Sequence, residues 1–184
     1  GKSPQVVFED ADLEKALPFL VNAGIQNAGQ TCSASSRILV HESLYDELCT
    51  HMAAAYDGLT VGPAMDDHKV GPLISARQKE IVEGFLSLTD DNHILSRGRI
   101  VEDAPEGGHY VAPVLVSGIG PDHRLAQDEI FGPVQVIIPF ADEEEAVAIA
   151  NGTEYGLVAS VWSRDGARQM LMSKKLRAGQ VFLN

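Results

Sequence analysis

The chain reads as a doubly wound α/β domain, a largely parallel β-sheet with helices on both faces. Three observations carry that reading. Strand-like runs such as Val134-Gln-Val-Ile-Ile138 are rich in Val and Ile without clean polar alternation, the pattern of strands covered on both sides. Stretches of helical periodicity separate these runs, so strand and helix alternate as crossover units require. With 184 residues, 45% of them apolar, the chain can bury one sizeable core and lies within the usual range of a single domain.

The elements follow in order. Gln5 to Phe8 is a strand, and a helical pattern from Leu13 to Val21 follows it, with Pro18 as a point of bending. Arg37 to His41 is a second strand. Leu44, Leu48 and Met52 recur every four residues with Tyr45, Cys49 and Tyr56 alongside, which defines a helix with one buried face. Gly58 to Pro72 is a turn-rich linker. A helix over Ser75 to Leu88 buries Ile81, Val82, Phe85 and Leu88, and extended runs follow near Ile94 and over Tyr110 to Val116. The rest is strand Val134 to Phe140, helix Asp142 to Ala150, strand Leu157 to Trp162, helix Asp165 to Arg177 and a terminal strand in Gln180-Val-Phe-Leu-Asn184. Sheets of this class bind ligands at the carboxyl ends of their strands, so reactive loops are expected there.

Charge and cysteine usage narrow the partners. A net charge of −12 argues against nucleic acid and anionic membrane, both of which need clustered Lys and Arg. The one basic cluster, Lys174-Lys-Leu-Arg177, falls at a helix end before Gly179, where cations suit the dipole. No apolar run approaches the roughly 20 residues of a membrane span, and no signal peptide is visible. Two unpatterned cysteines suggest a reducing compartment, hence a cytoplasmic protein. Gly1-Lys-Ser3 leads into a strand rather than the helix of a phosphate loop, and Gly118-Ile-Gly120 lacks the third glycine of a dinucleotide fingerprint. The six histidines show no metal-ligand spacing.

One segment carries chemistry. In Asn27-Ala-Gly-Gln-Thr-Cys32-Ser-Ala-Ser-Ser-Arg37 a lone cysteine sits among small, polar, turn-prone residues just before an apolar strand. A cysteine attacks as the thiolate, which unpaired backbone N–H groups at a helix start would favour, and Gln30 to Ser36 offers such a start after Gly29. Cys49 is the internal contrast, because it falls on the apolar face of a helix and reads as core. Three functions fit a presented thiol. They are a covalent oxidoreductase, a cysteine hydrolase or acyltransferase with His41 or His109 as base, and a non-catalytic interaction module in which Cys32 is incidental.

The segment from Asn27 to Val40 resembles the catalytic-cysteine signature of the aldehyde dehydrogenase superfamily. Gly1-Lys-Ser-Pro4 is similar to the tail of that family's E-L-G-G-K-S-P motif. Asp128-Glu-Ile-Phe-Gly-Pro133 resembles its E-I-F-G-P motif, and Asn151-Gly-Thr-Glu-Tyr-Gly-Leu157 its N-x-t-x-Y-G-L turn. The motifs keep the family's order across essentially the whole chain. The resemblance implies an NAD(P)-dependent aldehyde dehydrogenase catalytic domain truncated at both ends, with residues 1–184 its cysteine-bearing part. The upstream dinucleotide-binding domain and the C-terminal oligomerisation segment would be absent, and the parent would be a homodimer or homotetramer. A start on Gly1 and a stop on a strand agree with a piece of something longer.

Roles follow from the same resemblance. Cys32 would attack a small-molecule aldehyde to give a thiohemiacetal and then a thioester, with its own N–H holding the oxyanion. Thr31 and Ser33 would lie near the aldehyde. Glu129 would hold the nicotinamide-ribose hydroxyls of NAD or NADP, and Phe131 would pack beside the nicotinamide. The glutamate that activates the hydrolytic water in the family would stand just before Gly1. Arg77 is a departure, at a helix position where many relatives carry a Gln near the cofactor. The resemblance implies that the isolated chain is inactive.

Overall fold

The computed structural model describes residues 1–184. Seven strands form the main sheet: β1 (Pro4–Val7), β2 (Arg37–His41), β4 (Ile94–Arg97), β6 (Val114–Val116), β7 (Val134–Phe140), β8 (Val158–Trp162) and β9 (Gln180–Leu183), in the order β4-β6-β7-β2-β1-β8-β9. Every pairing is parallel except β4 with β6 at one edge. The largely parallel sheet is thus present as the apolar runs predicted.

Helices cover both faces. α1 (Leu13–Ile25) and α2 (Tyr45–Asp57) pack together, α1 against β7 and α2 against β2, β4 and β6. On the other face α5 (Glu143–Asn151) lies over β1, β2 and β7, and α6 (Gly166–Lys175) over β8 and β9. α3 (Ala76–Leu86) and the short α4 (Arg124–Gln127) complete the set. The caps follow from sequence: Asp12, Ser75, Asp142 and Asp165 each accept a hydrogen bond from a backbone N–H of the first turn.

The differences from expectation are local. α1 runs on past Val21 to Ile25, because Pro18 stands on an exposed face where water can satisfy the Glu14 carbonyl that loses its helical donor. The linker expected over 58–72 contains β3 (Thr60–Val61), which pairs in parallel with β5 (Arg99–Ile100) in a separate two-stranded ladder. In α3 Val82 is buried, whereas Ile81 is exposed.

A buried arginine fixes the central strands. Arg37, at the start of β2, donates from Nε to the Lys2 carbonyl at 2.9 Å, and from Nη1 and Nη2 to the carbonyls of Ile149 and Ala150, each at 2.8 Å. The last two lie at the carboxyl end of α5, where a cation suits the dipole. Lys2 beside it is also fully enclosed, and its Nζ has no hydrogen-bond partner. Burial, with Arg37 adding to it, pulls the Lys2 amine down to about 7.

Candidate active site

Three loops meet because β7, β2 and β1 are neighbours and run parallel. Each loop enters one of these strands: 1–3 before β1, 30–36 before β2, and 128–133 before β7. Cys32, Glu129 and Phe131 therefore share the amino ends of the strands, which corrects the expectation of the carboxyl ends. The carboxyl-end rule concerns loops that leave a strand for a helix. Here the tight loops that enter the strands carry the motif residues.

Cys32 lies in a turn closed by the Ala34 N–H donating to the Thr31 carbonyl at 2.9 Å, not at the helix start expected over 30–36. Asn27, Ala28 and Gly29 have φ of 53°, 54° and 72°, so the short turn Gln26–Gly29 that follows α1 is itself left-handed and passes the chain on without opening a right-handed helix. The N–H groups of Thr31, Cys32 and Ser33 donate to no backbone carbonyl. A turn rather than a helix terminus thus leaves donors free around the sulfur. Cys32 is exposed and Cys49 buried, and burial pushes the Cys49 thiol up.

Side-chain amides tie the loops together. Gln30 donates to the Asn27 carbonyl and Asn27 to the Gln30 carbonyl, each at 3.0 Å, while Gln30 Oε1 accepts from Ile74 N–H at 2.9 Å. Gln78, on α3, donates from Nε2 to the carbonyls of Ile130 at 3.1 Å and Phe131 at 3.0 Å. That clamp holds Phe131 at a φ of 56°, a conformation costly for an aromatic residue, and the residue is 37% exposed. Arg77 is exposed one position earlier, so the glutamine that meets the loop follows the position the sequence reading marked. The amide clamps carry no periodic signal, so nothing in the sequence pattern marks Gln30 or Gln78.

Glycines close the assembly. A Cβ on Gly29 would overlap the Gly132 carbonyl, so only glycine lets the two loops touch through backbone. Gly1 packs against the Cys32 carbonyl, and its backbone nitrogen lies against Glu129 Oε1. Gly1, Thr31, Glu129 and Phe131 border one small cleft. Glu129 is 33% exposed and accepts from no side-chain donor, so its carboxylate has lone pairs to offer a ligand.

The geometry also bears on the alternatives. His41 stands at the carboxyl end of β2, away from the entering loop, with Nδ1 2.8 Å from Ser43 Oγ. No group of His, Cys, Asp and Glu is placed to hold a metal ion.

The aldehyde dehydrogenase family model matches residues 1–184. The chain belongs to the aldehyde dehydrogenase family. It is 36% identical over 188 residues to betaine aldehyde dehydrogenase of Bacillus subtilis, and 36% identical over 191 residues to 2-aminomuconic semialdehyde dehydrogenase of Danio rerio. In both cases all of this chain is matched, and it spans 38% and 39% of those relatives' lengths. A crystal structure from Burkholderia cenocepacia assigned to the aldehyde dehydrogenases superposes with a TM-score of 0.97 at 55% identity, over all of this chain and 39% of that one. Betaine aldehyde dehydrogenase of Staphylococcus aureus, solved with NAD+, gives 0.94 at 32% identity, over all of this chain and 37% of that one. No helix here is long and apolar enough to cross a membrane.

Proposed function

We propose that this chain is the cysteine-bearing part of an enzyme that oxidises an aldehyde to a carboxylic acid with NAD or NADP. The observation that carries the reading is the exposed Cys32 in a turn with free amides, just after Gly29, whose backbone packs on Gly132 of the loop that bears Glu129 and Phe131.

Cys32 Sγ adds to the aldehyde carbon, and its own N–H, free of any acceptor, donates to the oxygen that becomes negative. The thiohemiacetal loses its hydrogen as hydride, and water releases the acid from the resulting thioester. A nicotinamide nucleotide supplies the hydride acceptor. The residues present fit such a group: Glu129, whose Oε2 has no partner, offers a carboxylate to ribose hydroxyls, and the partly exposed Phe131 offers a flat apolar surface to a ring. Glu129 and Phe131 bind and orient, and Gln78 keeps their loop in register. The parent acts as a homodimer or homotetramer in the cytoplasm, and this polypeptide alone has no turnover.

The reading is tested by aldehyde protection. Limiting iodoacetamide at neutral pH, followed by peptide mapping, is expected to alkylate Cys32 before Cys49, and an added aldehyde to slow the first and not the second. Equal labelling, or labelling of Cys32 that no aldehyde slows, would overturn it.

A further inference from the structure

The chain leaves α1 after Ile25 and enters β2 at Arg37, and Cys32 lies on the excursion between them. One side chain grips both ends of that excursion. Gln135, fully buried on β7, donates from Nε2 to the carbonyl of Leu20 on α1 at 3.0 Å and to the carbonyl of Ser35 just before β2 at 2.7 Å. Its Oε1 accepts from the hydroxyl of Tyr56 on α2 at 2.6 Å. Burial raises that hydroxyl above the usual tyrosine range, so it stays protonated and donates. Two carbonyls and one hydroxyl donor match the two N–H groups and the oxygen of a side-chain amide, and they admit only one orientation of it. Ser35 is thereby held from both sides, since its own N–H donates to the Ala23 carbonyl at 3.1 Å.

Gly24 makes the room. A Cβ at that position would overlap Gln135 Cδ and Cγ, so α1 carries near its end a residue that is unfavourable in helices, and the amide occupies the gap. Gln135 also follows Phe131 closely, on the strand that the Glu129–Phe131 loop enters.

We infer that Gln135 is a positioning residue for the reaction at Cys32: its amide sets the turn that carries the sulfur and the free Cys32 N–H against the strand that follows the Glu129–Phe131 loop. The inference rests on the reading of Cys32 as the nucleophile, and it goes beyond that reading by naming what holds the oxyanion donor in place. Gln135 itself touches no reactant. Without its amide the Ser35 carbonyl is enclosed and unpaired, a costly state that the turn relieves by shifting towards another donor. The Cys32 N–H moves with the turn, whereas the thiol stays exposed. Addition of an aldehyde uses both groups and alkylation uses the thiol alone, so the first suffers and the second does not.

The test measures two quantities on the 184-residue polypeptide and its variants: the rate at which iodoacetamide alkylates Cys32, and the propanal concentration that halves that rate. Labelling of Cys49 reports any unfolding. Gln135→Met and Gly24→Ala, the second of which displaces the amide without removing it, are each expected to raise the half-protecting concentration about fivefold, the worth of one hydrogen bond, with little change in alkylation rate. Tyr56→Phe is expected to raise it about twofold in the parent chain and not at all in Gln135→Met, because Tyr56 acts only through that amide. Met172→Ala, which opens a buried site under α6 on the other face, costs stability and is expected to leave the half-protecting concentration unchanged. If Gln135→Met does not fold, Gly24→Ala decides. A half-protecting concentration that Gly24→Ala leaves unmoved, a shift as large in Met172→Ala, an equal change in alkylation rate, or a Tyr56→Phe effect that persists in Gln135→Met would overturn the positioning role and leave the nucleophile reading intact. Alkylation of Cys32 in the parent chain that propanal does not slow would overturn both.

Discussion

At the scale of single residues, the two cysteines were legible because their neighbours differ: Cys49 sits on an apolar helical face, whereas Cys32 has Thr31 and Ser33 beside it. Gln30 and Gln78 were not legible, since their partners are backbone groups of Ile74, Ile130 and Phe131, remote in sequence, and an amide that binds backbone leaves no pattern. Replacing Gln78 by Met removes both donors from the positive-φ loop. The loss is expected at about 1–2 kcal/mol in urea unfolding, with Gln78→Lys, which keeps donors of similar reach, recovering part of it. Lys2 supplies a pH prediction. It is neutral in the fold above about pH 7, whereas the unfolded chain keeps the proton up to the ordinary lysine value of 10.5. The unfolded state therefore binds more protons across that window, and stability rises as pH goes from about 7 to about 10. Lys2→Met, which removes the enclosed amine that has no partner, is expected to unfold at higher urea than the parent chain at pH 7 and to lose that rise. A parent profile that falls over this window would contradict the assignment.

Among elements, strands and helices that carry apolar periodicity were readable, and their caps were readable from Asp12, Ser75, Asp142 and Asp165. The β3–β5 ladder was not, because two-residue strands have no period to detect. Nor was the turn at Cys32 readable as a turn. The residues of 30–36 suit a helix start, but the left-handed run at Asn27, Ala28 and Gly29 directs the chain straight into β2. That run depends on one contact. Gly29→Ala places a methyl on the Gly132 carbonyl at a φ of 72°, so both the local conformation and the approach of the two loops resist it. A loss of about 2–4 kcal/mol is expected in urea unfolding, together with slower alkylation of Cys32 relative to Cys49. An unchanged midpoint would mean that the loops are not held by this contact.

For the whole molecule, composition gave the α/β class, but only the strand order β7-β2-β1 shows that the reactive loops stand at amino ends. That end is also what limits the chain. In the function proposed above, its free amides, Cys32, Glu129 and Phe131 would meet the reacting carbon, the ribose and the nicotinamide, yet nothing in 1–184 has the glycine-rich strand–turn–helix that holds a dinucleotide's pyrophosphate. Hydride transfer needs donor and acceptor held about 3–3.5 Å apart, and two groups at one end of a cofactor do not supply the binding energy for that. A second oxyanion donor and a base for the hydrolytic water are also needed, the first of these alone worth on the order of 10²–10³ in rate. The 184-residue polypeptide, incubated with NAD or NADP and a panel of aliphatic and aromatic aldehydes, is therefore expected to form no reduced cofactor above background. The same aldehydes are expected to slow alkylation of Cys32, which separates a competent nucleophile from an incomplete enzyme. Turnover lost on Cys32→Ala would show that these residues suffice for the full reaction, and the division of labour argued here would be wrong.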